Sequence, residues 1–314
     1  MQGQISFCHS GIEVLSINRK FLKLRSFLLI LMRMPIKVSL IPKKLIKPLS
    51  KWLKLASLAI LLMYSSALFY LYINQKAFLY APKKDLVPFT SHALKDVQEI
   101  FLTTQDNNSI QAWYHHAGNP AKVVIYLHGS NGSLVRNKAR LQALQNQGYS
   151  YIIPAWRGFG KSSGSPSEQG LYADAEAAIQ YLVNQGFDTK NTILIGESLG
   201  TGIATEMANR YPFKGLFLIA PYTSIVALAR ATYSYLPISQ CLIKDNFKVL
   251  EKIKKIGEAA LLIVHGDQDQ VIPHSHSQQI ISQANMPKKL IIYPGVNHTN
   301  FVSQAIFMEM ENFF

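Results

Sequence analysis

The chain has 314 residues, 48% of them apolar and 16% charged, a composition that excludes an intrinsically disordered protein and supplies material for a sizeable buried core. Its net charge of +14 is concentrated at one end: residues 1–54 hold eleven Lys or Arg against one acid, Glu13, so +10 lies in the first sixth of the chain and +4 in the rest. That distribution argues against a nucleic-acid partner, because the basic residues stand beside an apolar segment and not on the folded body.

In chain order, the first apolar stretch is "FLKLRSFLLILM" at residues 21–32, interrupted by Lys23 and Arg25 and too short to span a bilayer. It reads as at most an interfacial amphipathic helix. Met32 and Met34, just ahead of the basic stretch, offer alternative starts. Between Lys54 and Lys76 no residue is charged, and an apolar run of 19 residues extends from Leu55 to Ile73. As a helix it would be about 28 Å long, close to the ~30 Å hydrocarbon core of a membrane. Its only polar residues are Ser57, Ser65 and Ser66, short of the polar stripe of a soluble helix, so one transmembrane helix is expected. Six lysines from Lys37 to Lys54 precede it and three (Lys76, Lys83, Lys84) follow. The positive-inside rule therefore leaves the N-terminus in the cytoplasm and the body on the extracytoplasmic side. The basic segment is longer than a signal peptide carries, which favours an uncleaved signal anchor over cleavage at "SSA" (residues 65–67). Cys8 and Cys241 then lie on opposite sides, and no intramolecular disulfide is expected.

From about Asp96 apolar runs alternate with helical patterns. "VQEIFLTT" and "SIQAWYHH" flank the turn-rich "QDNN" and read as an antiparallel hairpin. Six continuous apolar runs follow, "KVVIYLH", "YSYIIPAW", "TILIGES", "GLFLIAP", "ALLIVHG" and "KLIIYPG", of the kind that suits strands buried on both faces. Between them lie helical patterns such as "SLVRNKARLQALQNQG" and "EQGLYADAEAAIQYLVNQG", each closed by a glycine, and "LGTGIATEMANR". The fold class is α/β: a mostly parallel sheet with helices on both faces and an antiparallel edge from the hairpin. The expected organisation is a basic cytoplasmic segment at 1–54, a transmembrane helix at 55–73, a linker at 74–95 and a folded domain at 96–314. Residues 223–257, too long for a simple connection, form a small cap above the carboxyl ends of the strands.

Reactive groups of an open parallel sheet gather at those ends. Four stretches put competent residues there. "LIGESLG" sets Ser198 at a strand-to-helix corner, where Gly196 and Gly200 have no side chain to clash; Gly-x-Ser-x-Gly alone is too common by chance to decide. "HGSNGS" follows a strand and offers the backbone N–H of Ser130, beside that of Leu199, to a developing oxyanion. "HGDQDQVIP" offers Asp267 and Asp269 to orient a histidine, and "GVNHTN" places His298 on a loop after the last strand. The chain order Ser, Asp, His is one of the three known orders of a hydrolytic triad, the one of the α/β-hydrolase arrangement.

Residues from about Tyr80 onward resemble the α/β-hydrolase superfamily, specifically the serine-aminopeptidase-like branch that includes membrane-anchored α/β-hydrolase-domain proteins. The resemblance is carried by "FLYAP", "LHGSNGS", "WRGFGKSSG", "GLYADAEAAIQYL", "IGESLGTGIA", "APYTS", "IKKI", "HGDQDQVIP" and "GVNH". It implies Ser198 as nucleophile, Asp269 as the triad acid in preference to Asp267, His298 as base, and Ser130 and Leu199 as oxyanion donors. Asp267 is expected to cap a turn and Arg157 to make an ion pair beside the site. No metal or organic cofactor is implied. The short cap suggests an open cleft, hence an acyl-containing small molecule, lipid or acylated peptide as substrate, cleaved at an ester or thioester bond. An aminopeptidase would need an acid near the acyl site for a free amine, with Glu197 and Glu168 as candidates, and a non-catalytic binding protein is the remaining alternative.

Overall fold

The computed structural model describes residues 43–82, 94–118, 122–130, 133–233, 236, 238, 241–257 and 259–314. The amphipathic stretch 21–32, both candidate start methionines, Cys8 and residues 83–93 of the expected linker lie outside the described residues. The chain divides into two compact units, Met1–Ala67 and Leu68–Phe314.

Helix α1 (Lys43–Tyr80) contains the apolar run, and its Ser50–Tyr80 part is long and apolar enough to cross a membrane. In the first unit its large apolar side chains, Trp52, Leu62 and Met63 among them, are exposed. In the second unit the helix runs on through Asn74–Tyr80, residues assigned from sequence to the linker. Two contacts explain the extension. The Gln75 side chain donates to the Leu242 carbonyl (3.3 Å) and accepts from the Lys244 N–H (2.9 Å), and Tyr80 is fully buried with its ring edge-on to Phe247 at 6.4 Å.

The domain holds strands β1 (Val97–Thr103), β2 (Ser109–His115), β3 (Val123–Leu127), β4 (Ser150–Pro154), β5 (Thr192–Glu197), β6 (Gly215–Ile219), β7 (Ala260–Gly266) and β8 (Lys288–Tyr293). Its helices are α2 (Lys138–Asn146), α3 (Glu168–Asn184), α4 (Gly200–Arg210), α5 (Ile225–Thr232), α6 (Val249–Ile253), α7 (Ser275–Gln283) and α8 (Ser303–Phe313). All strands form one sheet in the order β1-β2-β4-β3-β5-β6-β7-β8. The hairpin pairs antiparallel, β2 joins β4 antiparallel, and every pairing from β4 to β8 is parallel. Every residue of β3, β4 and β6 is buried, as the unbroken apolar runs require, while the edge strand β8 has exposed lysines at its start. Right-handed crossovers put α3, α4, α6 and α7 on one face and α2 with α8 on the other. Gly148 and Gly186, at φ +76° and +87°, close α2 and α3 where the sequence placed their ends.

The strand order reverses between β3 and β5, since β3 leads out to β4 on one side and the chain then returns to β5 on the other. Loops leaving the carboxyl ends of these two strands therefore diverge and open a crevice. The cap stands on bonded feet: Ile225 and Val226 donate their N–H groups to the Asn246 carbonyl (2.8 Å) and side-chain oxygen (2.9 Å). Glu168, in the first turn of α3, accepts from the Asn246 and Phe247 N–H groups at 2.7 and 3.0 Å.

Candidate active site

Ser198 sits between the end of β5 and the start of α4 with φ +52°, a left-handed conformation that costs a non-glycine residue of order 1–2 kcal/mol. Its neighbours hold it there. The Ser198 N–H donates to Ile219 O on β6 (2.9 Å), and its carbonyl accepts from the Thr201 N–H (2.9 Å) and hydroxyl (2.6 Å). The flanking glycines serve close approach: a Cβ on Gly196 would lie 2.7 Å from the Gly200 carbonyl oxygen, and one on Gly200 only 1.9 Å from that of Leu127. Any side chain at either position would push the corner off the sheet.

The loop after β3 closes on Ser198 from across the crevice. A Cβ on Gly129 would stand 3.1 Å from Ser198 Cβ and 3.6 Å from Ser198 Oγ. Ser130 follows directly, half-buried. Leu199 is the N-cap of α4, so its N–H has no partner within the helix. His128, ahead of Gly129, is fully buried against Trp156 and Phe159, and burial pushes its pKa down to about 4, so it stays neutral at physiological pH.

His298 arrives on the loop after β8. Its Nε2 is 3.0 Å from Ser198 Oγ and its Nδ1 is 2.7 Å from Asp269 Oδ2, so Asp269 can accept from the Nδ1 N–H and leave Nε2 to accept from the serine hydroxyl. The Asp269 side chain is fully buried, and its Oδ1 accepts from the Val271 and Ile272 N–H groups, each at 2.8 Å. Burial opposes ionisation of Asp269, but hydrogen bonds from His265, His298 and the Ile272 amide outweigh it and hold the carboxyl well below its usual range. Asp267 turns elsewhere and accepts from the Gly295 N–H at 2.8 Å, capping the turn that begins the His298 loop.

Sequence reasoning missed His265, four residues before Asp269. It is fully buried, with Nε2 2.8 Å from the Ile272 carbonyl and 3.3 Å from Asp269 Oδ2, and Nδ1 2.6 Å from Ser277 Oγ. It braces the same carboxylate oxygen that meets His298. Arg157 is buried and pairs with Asp174 at 2.8 Å and Asp106 at 2.7 Å, holding the "WRGFGKSSG" loop to α3 and the hairpin turn. The two acids considered for a substrate amine are already engaged: Glu197 by Arg140 and Tyr126, Glu168 by backbone N–H groups and Tyr172. Among the described residues, no group of three or more His, Cys, Asp or Glu could hold a metal ion.

Comparison with known proteins agrees with the fold. Residues 118–254 match the sequence profile described as "Serine aminopeptidase, S33". The uncharacterized protein Rv2307c of Mycobacterium tuberculosis is 30% identical over 239 residues, covering 75% of this chain and 84% of that protein. Human alpha/beta hydrolase domain-containing protein 17B is 29% identical over 223 residues, covering 68% and 74%. Among solved structures, an alpha-beta hydrolase from Vibrio vulnificus superposes with a TM-score of 0.61 at 23% identity, covering 76% of this chain and 90% of that one. An esterase of Pyrococcus furiosus gives a TM-score of 0.60 at 17% identity, covering 74% and 96%. Sheet order, nucleophile corner and sequence kinship agree, and the chain belongs to the α/β-hydrolase family, in its serine-aminopeptidase-like branch.

Proposed function

We propose that this protein is a membrane-anchored serine hydrolase that cleaves acyl bonds, of ester, lipid or thioester type, with Ser198 as nucleophile, His298 as general base and Asp269 as the orienting acid. The observation that carries the reading is the unbroken hydrogen-bond chain from Ser198 Oγ through His298 to a buried Asp269, built on a serine in a left-handed corner. His298 takes the serine proton as Oγ attacks the acyl carbonyl. The tetrahedral oxyanion is received by the backbone N–H groups of Ser130 and Leu199, each such donor being worth about 3–4 kcal/mol of barrier. His298 then protonates the leaving group, and a water activated by the same imidazole releases the acid. Ionised Asp269 keeps the Nδ1 proton in place throughout.

An acyl substrate is favoured over a peptide with a free amino terminus because Glu197 and Glu168 are both engaged by protein partners and leave no free carboxylate of the two for an ammonium group. Anchoring rests on α1 and the uncharged run from Leu55 to Ile73; the lysine asymmetry sets the N-terminus in the cytoplasm and the hydrolase domain outside it. The test is fluorophosphonate labelling of the full chain in isolated membranes. The wild type should label and stay with the membrane after carbonate extraction, and Ser198→Ala should not label. Persistent labelling of Ser198→Ala refutes the nucleophile, and release of labelled protein by carbonate refutes the anchor.

A further inference from the structure

Arg140 lies on α2, in the sequence "KARLQALQN", where a charged residue ordinarily faces water, yet it is only 7% exposed. Its guanidinium has two sets of partners. Toward β5, Nη2 donates to Glu197 Oε1 at 3.1 Å, with Nε 3.5 Å from Oε2. Toward the C-terminal part of the chain, Nη1 donates to the Phe301 carbonyl at 3.0 Å and to Ser303 Oγ at 3.1 Å. Glu197 is the residue before Ser198, and Phe301 lies three residues after His298. One planar cation therefore links the peptide that carries the nucleophile to the loop that carries the base.

The same loop is tied at its other end and at its middle, where His298 Nδ1 bonds Asp269 Oδ2 at 2.7 Å. Asp267 accepts from the Gly295 N–H at 2.8 Å, and the Gln268 N–H donates to Val296 O at 3.0 Å. Tyr293 and Phe301 close its base ring edge to ring face, at 6.2 Å. Between these two attachments the loop is held by Asn297, which accepts from the Thr299 and Asn300 N–H groups within the loop itself. Arg140 is thus the charged side chain that ties the stretch following His298 to β5. Glu197 is kept ionised for this partner: burial works against its charge, but the Arg140 charge and hydrogen bonds from Arg140 and Tyr126 lower its pKa below the ordinary carboxyl value.

We propose that Arg140 and Glu197 are positioning residues that set the distance between Ser198 and His298 by clamping the His298 loop to the nucleophile corner. The proposal rests on the hydrolase reading for its effect on catalysis, though the clamp itself does not. The guanidinium is required for its shape: a lysine ammonium supplies the charge but cannot span Glu197 and the Phe301 carbonyl in one plane. A purely electrostatic role would survive Arg140→Lys, whereas a clamp would not.

The test compares Arg140→Lys with Arg157→Lys, the same exchange at another buried arginine bonded to two carboxylates. Three readouts are taken on the full chain in detergent: thermal midpoint, kcat and KM on a p-nitrophenyl ester, and amide hydrogen exchange of residues 294–302. Arg140→Lys should lower kcat tenfold or more, in the range where misplacements below 1 Å act on catalysis, with KM within about threefold of wild type. Exchange across residues 294–302 should quicken. Arg157→Lys should lower the thermal midpoint comparably while leaving kcat and loop exchange alone. Should Arg140→Lys fail to fold, the double variant Arg140→Met, Glu197→Gln removes both charges together and should show the same kcat loss and loop loosening. Wild-type kcat in either folded variant overturns the proposal, as does an equal kcat loss in Arg157→Lys. A wild type inert toward the ester and toward fluorophosphonate, with loop exchange quickened only by the Arg140 variants, would sink the hydrolase reading and leave the clamp standing.

Discussion

Replacing Gly129 by alanine tests the geometry of the crevice without exchanging any reacting group. Gly129 does not occupy a left-handed conformation, so alanine meets no backbone strain, and the loss of chain freedom in the unfolded state favours the variant by about 0.4–1 kcal/mol. The new methyl would stand 3.1 Å from Ser198 Cβ and 3.3 Å from the Glu197 carbonyl oxygen. Carbon atoms rest at about 3.5–4.0 Å, so the serine or the loop must yield by roughly half an ångström. Displacement of this size at a nucleophile corresponds to a loss of about ten- to a hundredfold in rate, or roughly 1.4–2.7 kcal/mol of transition-state stabilisation. Gly129→Ala should therefore keep its thermal midpoint within a few degrees of wild type while its rate of fluorophosphonate labelling falls at least tenfold. Gly200→Ala is the contrast: its Cβ would lie 1.9 Å from the Leu127 carbonyl oxygen, a backbone atom with nowhere to go, and the protein should fail to accumulate folded. Wild-type labelling by Gly129→Ala would show that the loop after β3 does not abut the nucleophile and would remove Ser130 from the oxyanion site.

Asp269→Asn keeps an oxygen for the Val271 and Ile272 N–H groups but turns an amide toward His298 Nδ1, favouring the wrong tautomer; kcat on a p-nitrophenyl ester should fall by about 10³–10⁴ with the fold intact, and a loss under tenfold contradicts its role. His128 binds its proton near pH 6.5 when unfolded and near pH 4 when folded, so the unfolded state takes up more protons between those values and stability falls as pH drops through that window. Denaturant titrations at pH 7.5 and 4.5 should show His128→Asn escaping about 2–3 kcal/mol of the acid destabilisation of the wild type; equal losses in both proteins dispose of the idea. Arg157→Met leaves the carboxylate of Asp174 buried and unpaired and should cost about 3–5 kcal/mol by denaturant titration, with kcat per folded molecule unchanged.

The parts of this molecule legible in sequence are those with a local signature. Unbroken apolar runs announce strands covered on both faces, and β3, β4 and β6 are buried at every residue. The serine corner is legible because Gly196, Ser198 and Gly200 must be adjacent in the chain for the backbone to make that turn. Asp267 and Asp269 are two residues apart and of one type; their spacing cannot say which meets His298, and the preference for Asp269 came from family resemblance. Arg140, Glu197 and His265 escaped because their partners are distant in sequence and carry no shared pattern. Arg140 bonds residues 57 and 161 positions away, and an arginine in an amphipathic helix defaults to the outer face on periodicity alone. Glu168 was weighed as a substrate ligand, and its actual partners, the Asn246 and Phe247 amides, are backbone groups that no sequence pattern reveals. The end of α1 is illegible for the same reason, since Gln75 and Tyr80 are helical where tertiary contacts reward it.

The two feet of the cap meet at Asn246, which receives the N–H groups of both Ile225 and Val226, while Glu168 grips the far foot from below. The chain between these feet starts and ends on a finished pedestal. Lengthening such a span costs only about 0.6 kcal/mol for each doubling of its residues, because its ends are already joined. Residues between the feet can therefore be exchanged or added while the pedestal goes unaltered.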